Sequence, residues 1–199
     1  AQANALGEWL AALPDSVRPD TILSSPFVRA HETAAILANR LGIADAAIEV
    51  DERLREKEFG ILDRYTRKGI ENKYPELAAQ RSMVGKFYFR PPGGESWCDV
   101  ILRLRSVIDG IRLTKPDCRV LVVGHQVIVN CFRYLLENMR EDDILAIDAE
   151  GDFPNCGYAE YDVQKGPPVT FTLRHGRFVP PTLEAVDVTT ESDVPAGPR

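Results

Sequence analysis

Two short apolar runs in this sequence end in side chains suited to holding an anion. Thr21, Ile22 and Leu23 lead into Ser24, Ser25 and then Arg29, and Val120 to Val123 lead into Gly124, His125 and Gln126. In both places a strand-like run gives way at once to a helical pattern, so a guanidinium fork and an imidazole stand where the backbone N–H groups of a new helix point outward. Neighbouring strands in a parallel sheet would bring the two helix starts together, at the carboxyl edge where α/β sheets hold ligands. Taken alone, Arg29 reads as a solvated first-turn residue and His125 as a histidine satisfied beside a tight turn; their equivalent placement is what argues for a site. Other chemistries lack their signatures. No G-x-G-x-x-G or G-x-x-x-x-G-K follows a strand, which argues against a nucleotide cofactor, and G-x-S-x-G is missing as well. The four cysteines, Cys98, Cys118, Cys131 and Cys156, form no C-x-x-C pair and have no histidine at ligand spacing. The expectation is therefore a site with no metal and no cofactor.

The elements needed to position such a site are legible. Residues 1–13 carry Leu6, Leu10 and Leu13 on one stripe with Trp9 beside it, a helix. Residues 20–25 form a strand, residues 28–41 a helix with Val28, Thr33, Ile36, Leu37 and Leu41 expected on its buried side, and Gly42 its stop. Ile48, Glu49 and Val50 give a second short strand. A further helix begins near Ser96 and leads into the run at Val120, whose branched residues predict a strand buried on both faces in a parallel sheet. The helix after it spans residues 127–139. From Tyr158, alternating residues up to Leu173 predict terminal strands at a sheet edge. Residues 61–90 fall outside this order as a charged helical insertion in which Phe87, Tyr88 and Phe89 are expected to form its core; residues 184–199, rich in Asp, Glu, Thr and Pro, read as a disordered tail.

Composition narrows the partners. With 199 residues, 44% hydrophobic and 27% charged, the chain suits one ordinary globular domain. Its 24 basic against 30 acidic side chains, net −6, argue against nucleic acid. No apolar stretch approaches the roughly 20 residues of a membrane helix, and scattered thiols suit a reducing cytoplasm.

Four motifs, in order, carry a resemblance: Ser24-Ser25-Pro26-Phe27-Val28-Arg29-Ala30-His31-Glu32-Thr33-Ala34, Leu54-Arg55-Glu56-Lys57-Glu58-Phe59-Gly60, Pro92-Gly93-Gly94-Glu95-Ser96 and Val122-Val123-Gly124-His125. Together they resemble the histidine phosphatase superfamily, the phosphoglycerate mutase-like group, over about residues 2–161. The resemblance implies an α/β three-layer sandwich with a mostly parallel central sheet and a small helical lid insertion at about 61–90, within a domain of residues 1–183. It also implies phosphoryl transfer through a phosphohistidine, on a small phosphorylated substrate, with phosphatase favoured over mutase and a non-catalytic phospho-ligand binder as the rival class; a homodimer stays open. On the matching positions Arg29 binds the phosphoryl oxygens, His125 holds the equatorial oxygens, and Glu56 donates the proton to the leaving alcohol, Glu58 being its local rival. Ser25, Glu95 and Gln126 are expected to bind substrate or orient a histidine. His31 reads as solvated.

One departure matters. The family's first strand ends in Arg-His-Gly, whose histidine attacks phosphorus, and nothing of that kind precedes Ser24 here. Arg174-His175-Gly176 does occur, but after an alternating run typical of an edge strand, whereas the family's first strand is interior and apolar on both faces, which argues against a circular permutation. The expectation is that the nucleophile strand lies ahead of Ala1 and that this chain alone is inactive.

Overall fold

A computed structural model describes residues 1–164, 166 and 168–181; the stretch 184–199 lies outside the described residues. Three strands, β1 (Thr21–Ser24), β2 (Ile48–Val50) and β3 (Val120–Val123), form one all-parallel sheet in the order β2-β1-β3. Ser24 stands in register with Val123, so the ends of β1 and β3 lie side by side.

Helices cover both faces. On one side α1 (Gln2–Ala11) and α2 (Val28–Leu41) pack over Ile22, Ile48, Leu121 and Val123; on the other, α5 (Trp97–Thr114) and α6 (Gln126–Leu136) pack over Leu23, Val120 and Val122. Alternate residues of β3 thus serve opposite cores, as a strand's period of two requires. Between them in sequence, α3 (Arg67–Lys73) and α4 (Pro75–Val84) form the helical insertion, and α7 (Glu141–Ala149) follows α6. Gly42 stops α2 at φ 71°, and Ser96 caps α5, its hydroxyl accepting from the Asp99 amide while the Asp99 carboxylate accepts from the Ser96 amide.

Several expectations need correction. The buried stripe of α2 is Ala30, Ala34, Leu37 and Ala38, whereas Val28 is 73% exposed. Small side chains at i, i+4 and i+8 let α2 approach the sheet and α1 closely, and a Cβ on Gly7 of α1 would come within 2.8 Å of Arg40 Cβ. β3 is only partly buried at Val120, Leu121 and Val122, because among the described residues it is paired on one edge alone. The terminal strands β4 (Tyr158–Gln164) and β5 (Thr170–Phe178) do not edge the main sheet; they pair antiparallel in a two-stranded sheet of their own. Of the three aromatics, Phe89 joins a small core in the insertion with Leu62 and Ile70, Phe87 instead packs on Trp97 and Tyr134 in the main core, and Tyr88 is exposed.

Candidate active site

The turns after β1 and β3 bring the candidate site residues together. Ser25 and His125 are buried, and the Ser25 amide donates to the Val123 carbonyl at 2.9 Å, fastening the two strand ends together. Arg29 lies in the first turn of α2, exposed, with its guanidinium 5.0 Å from the Phe27 ring centre. It donates to His125 Nδ1 at 3.0 Å, and His125 Nε2 lies 2.8 Å from Ser25 Oγ. An arginine can only donate, so Nδ1 is the acceptor and Nε2 carries the proton, which it gives to Ser25 Oγ. Ser25 Oγ also accepts from the Phe27 amide at 3.3 Å. The imidazole is thus held at both nitrogens, and burial first, then Arg29 and Arg103, pushes its pKa down to about 4.

Glu56 completes the group. Its Oε2 lies 3.9 Å from His125 Nδ1, and its Oε1 accepts from the Lys57 amide at 2.9 Å. Burial pushes its pKa up to about 7, against the opposing pull of that amide and of Arg29, Arg103 and Lys57. A carboxyl poised near neutrality can both give and take a proton. Glu58, by contrast, faces out, with its carboxylate half exposed beside Arg55.

The loop bearing Glu56 is clamped to the Pro92–Ser96 segment. The Ile61 amide donates to the Pro92 carbonyl at 3.0 Å and the Glu95 amide to the Glu58 carbonyl at 2.8 Å. A Cβ on Gly60, where φ is +57°, would stand 2.1 Å from the Pro92 oxygen, so that position demands glycine twice over. Among the described residues Glu95 bonds to the loop and to Arg103 rather than to His125 or Arg29. It stands behind the loop, where Oε2 accepts from the Glu58 amide at 3.0 Å and the carboxylate takes both arms of Arg103 at 2.9 and 3.0 Å. Burial opposes the Glu95 charge, but Arg103 and the Glu58 amide outweigh it and hold its pKa below the usual range. Arg103 reaches on to the carbonyls of Arg53 and, at 3.4 Å, Glu56. No motif announces Arg103; the only signal is a basic residue flanking the apolar stripe of α5.

The structure therefore brings together Arg29, Ser25, Glu56 and His125, and links Glu95 to the Glu56 carbonyl through Arg103. Gln126, at the start of α6, donates its side-chain amide to Asp152 at 2.7 Å. His31 is exposed on α2. Arg174 and His175 lie on β5, where Arg174 pairs with Glu160 and Asp162, and none of their contacts given among the described residues involves the group around His125.

A family model for the histidine phosphatase superfamily (branch 1) matches residues 1–174. The chain belongs to that superfamily. Over 141 residues this phosphatase-family chain is 31% identical to 6-phosphofructo-2-kinase/fructose-2,6-bisphosphatase of Gallus gallus, covering 70% of its own length and 27% of that protein. It is 36% identical over 104 residues to a bifunctional protein of Mycobacterium tuberculosis, covering 52% of itself and 27% of the relative. The chain thus spans about a quarter of the length of these curated relatives. Among solved structures, a mycobacterial glucosyl-3-phosphoglycerate phosphatase in complex with VO3 superposes with a TM-score of 0.71 at 25% identity, over 87% of this chain and 81% of that one. A structure described as mycobacterial hydrolase 1 gives 0.72, also at 25% identity, over 89% and 82%.

Proposed function

We propose that this chain carries most of an active centre that hydrolyses a phosphate monoester through a phosphohistidine, in the cytoplasm and on a small phosphorylated substrate. The observation that carries the reading is the convergence of Arg29, His125 and a near-neutral Glu56 at the adjoining ends of β1 and β3. The names of the relatives, a fructose-2,6-bisphosphatase and a glucosyl-3-phosphoglycerate phosphatase, support hydrolysis of phosphate esters.

Arg29 turns its fork from His125 onto two phosphoryl oxygens, and His125, released at Nδ1, takes up a proton there beside the bound dianion and donates to a third. The outward amides at the starts of α2 and α6 add to the positive potential, which stabilises charge on the transferring group. An attacking imidazole forms the P–N bond as the P–O ester bond breaks, and the Glu56 carboxyl gives its proton to the departing alkoxide. Water then attacks the phosphohistidine, Glu56 takes a proton from that water, and phosphate leaves. The attacking imidazole comes from a further strand laid along the edge of β3 that is unpaired among the described residues. Partly exposed Val120, Leu121 and Val122 support such an addition, since an apolar parallel strand is stable where both edges are paired.

The test is phosphate release from a panel of monoesters by protein expressed from the natural gene, with Arg29, Glu56 and His125 each replaced by Ala. Each replacement is expected to lower turnover by about a hundredfold or more, and the 199-residue chain alone is expected to release no phosphate. Parent rates in all three variants would overturn the assignment.

A further inference from the structure

Phe27 stands inside the candidate site without a task in the reaction just described. It occupies the N-cap position of α2, where a Ser, Thr, Asp or Asn side chain would accept from the helix amides, and its own side chain caps nothing. Nor is it spent on the core, since it joins none of the three buried clusters of the described residues. What its ring touches is polar instead. The Arg29 guanidinium lies over the ring, 5.0 Å from its centroid, and the His125 imidazole stands at 66° to it with centroids 5.2 Å apart. The backbone bearing the ring is fixed: the Phe27 amide donates to Ser25 Oγ at 3.3 Å, and its carbonyl accepts from the Ala30 and His31 amides at 2.9 and 3.0 Å.

The Arg29 side chain is exposed and, among the described residues, has one hydrogen bond, to His125 Nδ1, and one ring contact, to Phe27. When the fork turns from His125 onto an anion the hydrogen bond is given up, and the ring alone goes on setting where the guanidinium stands. A long side chain released at its tip would have rotamer freedom to lose again at every binding event. A carboxylate partner would hold the arginine as firmly but would neutralise it, as Glu160 and Asp162 do for Arg174. An aromatic face attracts a guanidinium through its quadrupole and leaves the positive charge uncompensated, which is what an anion site in a chain of net charge −6 requires.

We propose that Phe27 is a positioning residue for the phosphoryl group: its ring holds the Arg29 guanidinium at the adjoining ends of β1 and β3, with its charge unspent, before and after His125 gives the arginine up. The inference rests on the phosphatase reading of this site. On this view the aromatic ring, rather than apolar bulk, is what the position needs, and the ring acts on the anion only through Arg29.

Calorimetric binding of inorganic phosphate to protein expressed from the natural gene tests this. Phe27→Leu keeps an apolar side chain and removes the ring, and is expected to weaken phosphate binding about fivefold. Phe27→Tyr, which restores a ring, should recover binding to within about 1.5-fold of the parent. Arg29→Ala separates positioning from packing: in that background Phe27→Leu should change binding by less than about 1.5-fold, because no guanidinium remains to be held. A loss of the same size with and without Arg29 would show that Phe27 acts on the fold or on His125, and would overturn the role. Parent-like binding by Phe27→Leu, or a loss in Phe27→Tyr equal to that in Phe27→Leu, would overturn it too. Each of these results leaves the phosphate site standing if Arg29→Ala alone weakens binding. Failure of the parent protein to bind phosphate, or parent-like binding by Arg29→Ala, would overturn the phosphate site and the role of Phe27 together.

Discussion

Among the described residues an arginine and a histidine stand near one another at the ends of β1 and β3 and again on the β4–β5 hairpin, and the two places differ in almost everything but residue type. At the ends of β1 and β3, Arg29 and His125 sit at helix starts. His125 is buried and held at both nitrogens, and the nearest carboxyl, Glu56, is itself kept close to neutral. On the β4–β5 hairpin, Arg174 lies between two carboxylates, Glu160 at 3.2 Å and Asp162 at 2.7 Å, and the His175 side chain is 48% exposed with Glu160 4.0 Å away. In the first place positive charge is left over for an incoming anion. In the second it is already consumed in surface pairing, which contributes little and is screened by salt. The Arg-His-Gly tripeptide stands in the second place, so surroundings distinguish the two where residue type does not.

The largest effect should separate these regions directly. In protein expressed from the natural gene, His125→Ala is expected to reduce turnover of a monoester by about a hundredfold to a thousandfold, the scale for losing one donor to developing charge. His175→Ala should stay within twofold of the parent rate. Robust turnover by the 199-residue chain itself, abolished by His175→Ala, would reverse the comparison and favour a permuted active centre.

Proton linkage gives the next effect, and its sign differs for the two members of the buried pair. Glu56 has its pKa raised from 4.5 to about 7, so the folded state keeps a proton there that the unfolded chain loses; its stabilising contribution is full below pH 4.5 and lost as pH rises through about 7. His125 has its pKa lowered from 6.5 to about 4, so its contribution is full above pH 6.5 and lost as pH falls through about 4. Between pH 4.5 and 6.5 unfolding merely moves one proton from Glu56 to His125, and the pair adds almost no pH dependence. Single replacements unmask the two halves. In urea unfolding, His125→Asn should lose stability as pH rises from 4.5 to 7, and Glu56→Gln should lose it as pH falls from 6.5 to 4, each by on the order of 3 kcal/mol. Flat profiles in both variants would show that neither group is buried as described.

How far the sequence carried the reading follows the same division between local and distant causes. The strands at Thr21, Ile48 and Val120, the stop at Gly42 and the cap at Ser96 are local signals: apolar runs, a glycine able to take positive φ, a hydroxyl three residues before an acid. The convergence of Arg29 with His125 was legible because parallel strands impose it once the two runs are recognised. The alanine stripe of α2 was not, since periodicity weighted by hydrophobicity looks for large residues, and close helix packing selects small ones. Nor was α7, which begins with three successive acids, Glu141, Asp142 and Asp143, and buries little beyond Ile144 and Asp148. The clamp of Arg103 on Glu95 depends on which groups meet after folding and leaves no periodic trace.

The smallest effect sharpens the comparison at its arginines. Arg103 and Arg174 each engage carboxylate, but Arg103 does so at 13% exposure with Glu95 at 14%, while also holding the Arg53 and Glu56 carbonyls. Arg174 engages its two partners at 43% exposure. Lysine keeps the charge and loses the planar fork, so Arg103→Lys should loosen the loop that aims Glu56, whereas Arg174→Lys should change stability by no more than about 0.5 kcal/mol. A merely structural loss at Arg103 would slow every substrate alike. Misaimed proton donation instead depends on the leaving group: kcat/KM, which reports the steps through P–O cleavage, should fall by about tenfold for an alkyl phosphate, whose alkoxide needs the proton, and be nearly unchanged for a nitrophenyl phosphate, which leaves without one. Equal losses on the two substrates would reduce Arg103 to a packing residue and remove the distinction from Arg174 that the buried pair implies.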